Sequence, residues 1–330
     1  MRVTGSPDLV AFATLSRTVS QVRDQLARAA REAVTGERED LARVLGARAG
    51  ELSLVDKALG DLTAGEARLS LAQGRLRQTG AALDAIRLSV ENLGERALTD
   101  TVLGGGVGTA ETAQTARSRL DGVLATLNTT HAGRSLFAGD EVDGPAVGST
   151  DQVLAAARDA LTDATTAAEA DVALDAFFAA GGGFDTFVYL GGEGEAAEAA
   201  LGDGSSVRFD IKADAGAPRA VIEGLVRLAL LHEVPGEDTA WVETAASRLE
   251  TGVQGLIGLQ SQAGLAANRV EGRVAAAAAE RLVFTATREA LAGRDAYEAA
   301  SEVQRLEVQL EAAYTLTARI GRLTFSDYMR

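Results

Sequence analysis

Residues able to do chemistry are few in this sequence, and their spacing suits no common reaction. The two histidines, His131 and His232, lie far apart, and neither has a second ligand at the spacing of a metal-binding pair. Cysteine is absent, which excludes disulfides and thiolate metal sites. The stretch GGGVGT, Gly104 to Thr109, has the glycine density of a phosphate loop. It lacks the Lys-Ser/Thr such a loop needs, and the two lysines, Lys57 and Lys212, stand elsewhere. It is therefore read as a hinge between helices. Asn128-Thr129-Thr130 fits a glycosylation sequon, a pattern with meaning only in a known compartment. Trp241 and the four tyrosines form no basic-aromatic platform for bases. The sequence thus offers no catalytic residue, no cofactor site and no metal ligand, and an enzyme is not expected.

The chain is instead rich in helix-forming residues. Of its 330 residues 46% are hydrophobic but only 4% aromatic, so the apolar content is mostly alanine, leucine and valine, which suit helix seams. No apolar run reaches the ~18–20 residues of a membrane span, and the opening MRVTGSP does not lead into a signal-peptide pattern. Residues 141–240 hold 19 acids against 5 bases, a net of −14 within a total of −15. That third of the chain repels nucleic acid and its own copies, while the flanks are close to neutral and free to associate.

Proline placement divides the chain. Pro7, Pro145, Pro218 and Pro235 are the only prolines, so residues 8–144 and 236–330 contain none. An interior proline costs a helix about 3 kcal/mol, and both proline-free flanks carry helical seams. Phe12, Leu15, Val19, Val22, Leu26, Ala29 and Ala33 alternate in steps of three and four. So do Leu69, Ala72, Leu76, Thr79, Leu83, Ile86, Val90, Leu93 and Ala97, then Ala113, Ala116, Leu120, Val123 and Leu127. Near the C-terminus the series is Ala296, Ala299, Val303, Leu306, Leu310, Ala313, Thr317 and Ile320. This alternation marks narrow, coiled-coil-like seams. The segments 8–34 and 294–324 are too alanine-rich to hold a helix alone, so each needs a partner: the other terminus and neighbouring copies.

Between the flanks, residues 151–180 read as one or two helices. FDTFVYLGG (184–192) and SSVRFDIKA (205–213) alternate with the period of strands, and PRAVIEGLVRLALLHEV reads as a helix with Pro218 in its first turn and an apolar face of Val221, Leu225, Leu228 and Leu231. The expected fold is mainly α: a long helical hairpin, a coiled-coil-like rod built from both termini, with a small inserted α/β domain. Residues 1–45 and 290–330 would pair as an inner assembly core, 46–132 and 240–289 would form the rod, and 133–239 the acidic outer insert.

Several stretches resemble the bacterial flagellin family, and within it the hook-associated proteins that join hook to filament. LARAAREAVTGERE, Leu26 to Glu39, is similar to the segment where the family's first helix ends in a Thr-Gly turn, here Thr35-Gly36. LQSQAGLAANRVE resembles the flagellin pattern through Gly264, Asn268 and Arg269, with Ala263 where leucine is commoner. Asp295 to Met329 resembles the family's C-terminal helix throughout, including Tyr314. GRSLFAGD, with Gly133, Arg134, Leu136, Phe137 and Gly139, resembles the junction proteins' element at the root of the outer domain, with Ser135 in place of the usual tyrosine. Leu136 and Phe137 are expected to bury there.

The resemblance implies a structural protein of the flagellum forming the junction layer between hook and filament. Its assembly interface would be carried by Phe12, Leu15, Val19, Val22, Leu26, Val303, Leu306, Leu310, Ala313, Ile320 and Leu323. It implies further copies of the chain, the hook-side hook-associated protein, flagellin and an export chaperone on the C-terminal helix as partners, with no nucleic acid and no membrane insertion. It also implies location on the extracellular flagellum after export without a cleaved signal peptide. The competing readings are a filament flagellin and, in a different class, a cytoplasmic coiled-coil scaffold or signalling protein.

Overall fold

The structure is a computed structural model that describes residues 7–103, 105–194, 198–208, 211–234 and 239–328, with the side chains of 7–12, 103, 105–107 and 320–328 left undescribed. In chain order its helices are α1 (Pro7–Thr35), α2 (Leu41–Leu45), α3 (Ala49–Val90), α4 (Leu93–Leu103), α5 (Gly105–Leu127), α6 (Thr150–Leu161), α7 (Ala167–Phe178), α8 (Gly216–Ala229), α9 (Thr239–Ala292) and α10 (Ala296–Tyr328). The strands are short: β1 (Thr130–His131) pairs with β2 (Arg134–Ser135), and β3 (Glu198–Ala200) with β4 (Ser206–Arg208), both antiparallel. The fold is mainly α, with long helices and these two small hairpins.

The chain forms two compact units, Met1–Thr63 with Ala277–Arg330, and Ala64–Ala276. The first contains α1, α2, the start of α3, the end of α9, and α10. Leu52 and Val55 of α3 bury there with Leu291 and Ala292 of α9. The second unit holds one large core in which Leu120 and Leu127 of α5 meet Phe137, Leu225 and Leu249. Residues expected as rod and residues expected as insert thus share one hydrophobic cluster, and the change of chain character near Gly133 is not a break in the core.

The seam through 69–97 is buried at every one of its nine positions, although Glu91 and Asn92 interrupt the helix between α3 and α4. Asn92 takes a left-handed φ of 60° at this interruption, and Val90 and Leu93 on either side of it are both buried. Of the GGGVGT stretch expected as a hinge, Gly105 to Thr109 already belong to α5, and Gly104 lies outside the described residues. The helices α4 and α5 pack against each other here: a Cβ on Gly108 would come 2.9 Å from the Asp100 carbonyl oxygen, and the Thr112 hydroxyl donates to Asp100 Oδ2 at 3.0 Å.

Residues 151–180 resolve into α6 and α7, each started by a capping box, Ser149 with Gln152 and Thr166 with Glu169. The strand expected over 184–192 is corrected. Phe184–Val188 form a single π-helical turn, closed by the Tyr189 amide donating to the Phe184 carbonyl at 2.9 Å, and only Tyr189 bridges, to Val147. The buried residues are Phe184, Val188 and Tyr189, with Phe184 packed on the Phe178 ring. A short apolar run does not distinguish alternation from a tight helical turn, and here aromatic packing decides. In SSVRFDIKA only Ser206–Arg208 is strand; Val207 is buried, Ile211 lies outside β4, and Phe209 falls outside the described residues.

Helix α8 buries the expected Val221, Leu225 and Leu228, but it is enclosed on every side, with Ala220 through Leu228 all buried. Glycines admit the neighbouring α9: a Cβ on Gly224 would meet Leu249 Cγ at 2.6 Å, and one on Gly252 would meet Val221 Cγ2 at 2.5 Å. Enclosure strands two charges, Glu223 and Arg227. The Arg227 side chain is 0% exposed, and it pairs with Glu223 at 3.1 Å, with Asp175 at 2.5 Å and with Asp171. Its guanidinium lies 5.0 Å from the Trp241 ring, and the indole N–H donates to the Arg227 carbonyl at 2.8 Å. Burial raises the Glu223 pKa above the usual carboxylate range, opposed by Arg227 and Arg248. A buried charge has to be paired, so some acids of the middle third serve the interior and are not merely solvated surface.

Candidate assembly interface

The sequence predicts that the two termini need partners, and in the first unit they have one another. Val22, Leu26 and Ala29 on α1 form one cluster with Val303, Leu306 and Leu310 on α10. Leu306 is 1% exposed and Val22 3% exposed. Leu15 and Val19 are half-buried on the same face of α1, and Ala299 and Ala313 are buried on that of α10. Steps of three and four bring these residues to one stripe, and the burial of each large aliphatic side chain stabilises by roughly 1.5–3 kcal/mol. Phe12, Ile320 and Leu323, named with them from sequence, have side chains outside the described residues. Ala33 and Ala296 are exposed, so the seam stops short of the turns.

Those turns are joined as well. Helix α1 ends just before Gly36, whose φ of +70° favours glycine, and α9 ends just before Gly293. Glu37 and Gly293 form an antiparallel bridge; the Arg38 amide donates to the Ala292 carbonyl and the Arg294 amide to the Gly36 carbonyl, each at 2.9 Å. Side chains reinforce it. Arg38 Nε donates to the Gly293 carbonyl at 3.2 Å, and the Arg294 guanidinium pairs with Glu32. Arg288 joins Glu37 at 2.6 Å to Asp56 of α3 at 2.9 Å. Its hydrogen bond and charge hold the Glu37 carboxyl below the usual carboxylate range. Sequence reasoning found the apolar stripe and missed this polar clasp. Its trace was present as a glycine flanked by charge in both AVTGERE and ALAGRD.

In the second unit, GRSLFAGD supplies the second turn residue and strand β2 of the hairpin β1–β2. Ala132 and Gly133 both have positive φ, 50° and 77°, the signature of a two-residue type I′ turn. Arg134 is exposed, while Leu136, Phe137 and Ala138 are buried, Phe137 completely. The Ala213 amide donates to the Phe137 carbonyl at 2.9 Å, which ties the segment to the chain entering α8. Gly139 has φ +65°, and a Cβ there would come 2.7 Å from the Gly192 carbonyl oxygen, so the position requires glycine. Asn128, read as part of a sequon, gives both ends of its amide to the Val147 backbone at 2.9 Å. Asn268 and Arg269 are exposed on α9. Both lie in the second unit, where Arg269 borders a cavity with Leu201 and Ser205. No described helix is long and apolar enough to cross a membrane.

Residues 247–326 match the family model of the bacterial flagellin C-terminal helical region, which spans most of α9 and nearly all of α10. No curated protein matches the sequence. Among solved structures, Bacillus cereus FlgL is similar with a TM-score of 0.44 and 16% identity, over 67% of this chain and 98% of that one. A Vibrio parahaemolyticus protein described as a flagellar hook-associated protein is similar with a TM-score of 0.44 and 14% identity, over 75% of this chain and 95% of that one. The similarity to bacterial flagellin thus lies in the C-terminal helices, residues 247–326 of the 330.

Proposed function

We propose that the chain forms the junction layer between hook and filament, assembling through the paired helices α1 and α10. The observation that carries the assembly reading is the terminal pair itself. Two segments that are marginal helices alone are held together by the Val22–Leu306 cluster within the region that includes the flagellin-type C-terminal helices. The junction position is supported by GRSLFAGD, which resembles the junction proteins in sequence and whose Phe137 carbonyl accepts from the Ala213 amide. Further copies, the hook-side hook-associated protein and flagellin are the partners this role requires, and an export chaperone on α10 is part of the same reading. So is export to the flagellum.

The test is genetic. Cells lacking the chain are expected to export flagellin and shed it into the medium, because nothing seats the first filament subunits. Filaments of normal length on such cells overturn the junction role. Long filaments grown by the purified protein alone make it a filament flagellin instead.

A further inference from the structure

In the second unit, three guanidinium groups and an imidazole border one cavity of about 350 Å³. Arg68 and Arg75 come from α3, His131 from β1 and Arg134 from β2. The wall is built rather than incidental. A Cβ at Gly74 would come 2.9 Å from the His131 ring, so the glycine makes the room that seats it. Burial, and then the charge of Arg134, hold the Arg75 guanidinium below its ordinary value. Glu198, the carboxylate on this wall, is already engaged: it accepts from the Ser206 hydroxyl and lies 3.8 Å from Arg208. Among the described residues, no ion pair engages Arg68 or Arg134.

Like charges gathered this closely in a chain of net −15 call for an anion. Arginine forks match oxyanions in two-point hydrogen bonding. Leu71, Ala199 and Ala200 complete the cavity with an apolar surface. A fully hydrated phosphate gains nothing from that surface, whereas the carbon stem of a carboxylic acid does. We propose that this cavity binds a carboxylate group, held by Arg68 and Arg134, with its carbon stem on Leu71 and Ala199. The carboxylate comes either from an acidic side chain of a second copy of the chain or from a free dicarboxylate. The inference goes beyond the flagellar reading and stands without it.

The test titrates the full chain with glutarate, and separately with inorganic phosphate, at low ionic strength, following the His131 and arginine side-chain signals by NMR. Glutarate is expected to shift these signals saturably. Affinity should fall at least tenfold in the R68Q/R134Q double variant and remain unchanged in R77Q, with Trp241 fluorescence reporting that each variant is folded. Sedimentation at low salt separates the sources. Self-association that glutarate reverses and R68Q/R134Q abolishes assigns the carboxylate to a second copy; a monomer that binds glutarate assigns it to a free ligand, and either supports the site. The proposal is overturned by no saturable shift together with no arginine-dependent association. Equal loss in R77Q, or tighter binding of phosphate than of glutarate, also overturns it.

Discussion

The Arg294 guanidinium pairs with the Glu32 carboxylate across 262 residues of chain, while the Arg294 amide donates to the Gly36 carbonyl at 2.9 Å. One residue thus locks the end of α9 and the start of α10 to the end of α1 by both side chain and backbone. Both partners are largely shielded from solvent, with side-chain exposures of 20% and 12%, so the pair is worth more than a surface ion pair. R294Q and E32Q are each expected to cost about 1–3 kcal/mol. The double variant should cost less than the sum. Equilibrium unfolding of the four proteins, followed by hydrogen exchange at α1, measures the coupling.

Leu306 sits at the centre of the terminal cluster with Val22 and Ala29. Leu306→Ala is expected to cost about 2–5 kcal/mol, and to remove it from the first unit alone. Trp241 is the only tryptophan and is buried in the second unit, so its fluorescence transition should stay in place while amide protection at α1 and α10 falls. A Trp241 transition that moves with the variant would show that the two units do not unfold separately.

At the hairpin root two substitutions should move in opposite directions. Phe137 is completely buried, and Phe137→Ala is expected to cost about 3–5 kcal/mol. Ser135 is buried with a hydroxyl that has no hydrogen-bond partner among the described residues. Ser135→Ala is therefore expected to be neutral or to stabilise by up to about 1 kcal/mol, since an unpaired buried hydroxyl is a cost. Thermal unfolding monitored at Trp241 checks both.

The clasp should weaken in acid. Arg288 lowers the Glu37 pKa from its ordinary value of 4.5 in the folded chain, so folded Glu37 binds fewer protons than unfolded Glu37. Its stabilising contribution is complete above about pH 4.5 and is lost as pH falls through the lower folded value. Glu233, lowered by its hydrogen bond to Arg158, follows the same sign in the second unit. NMR signals of the Gly36 and Gly293 turns should hold from neutral pH down to that point and then broaden or shift. Glu37→Gln should remove the share of this pH dependence that the Arg288–Glu37 pair carries.

The sequence made the apolar framework legible and left the polar detail hidden, for a physical reason. Burial by helical period is a local property, and it located the 69–97 seam and the α1–α10 stripe by residue. The pairing of Arg227 with Asp171 and Asp175, and the partners of Arg288 and Arg294, are set by folding across tens to hundreds of residues, which no local pattern encodes. The π turn at Phe184–Val188 was misread as strand because five residues hold too little period to separate the two. The hairpin turn at Ala132-Gly133 replaced the expected Asn-Gly or Asp-Gly signal with alanine at positive φ, so only the glycine pointed to it.

The most direct measurement is incorporation of a chain lacking residues 296–328 into flagella. Its second unit should remain folded, as reported by Trp241, and purified flagella should contain none of the truncated chain. Truncated chain recovered from flagella in the same amount as the full-length protein would show that assembly does not depend on α1 finding α10.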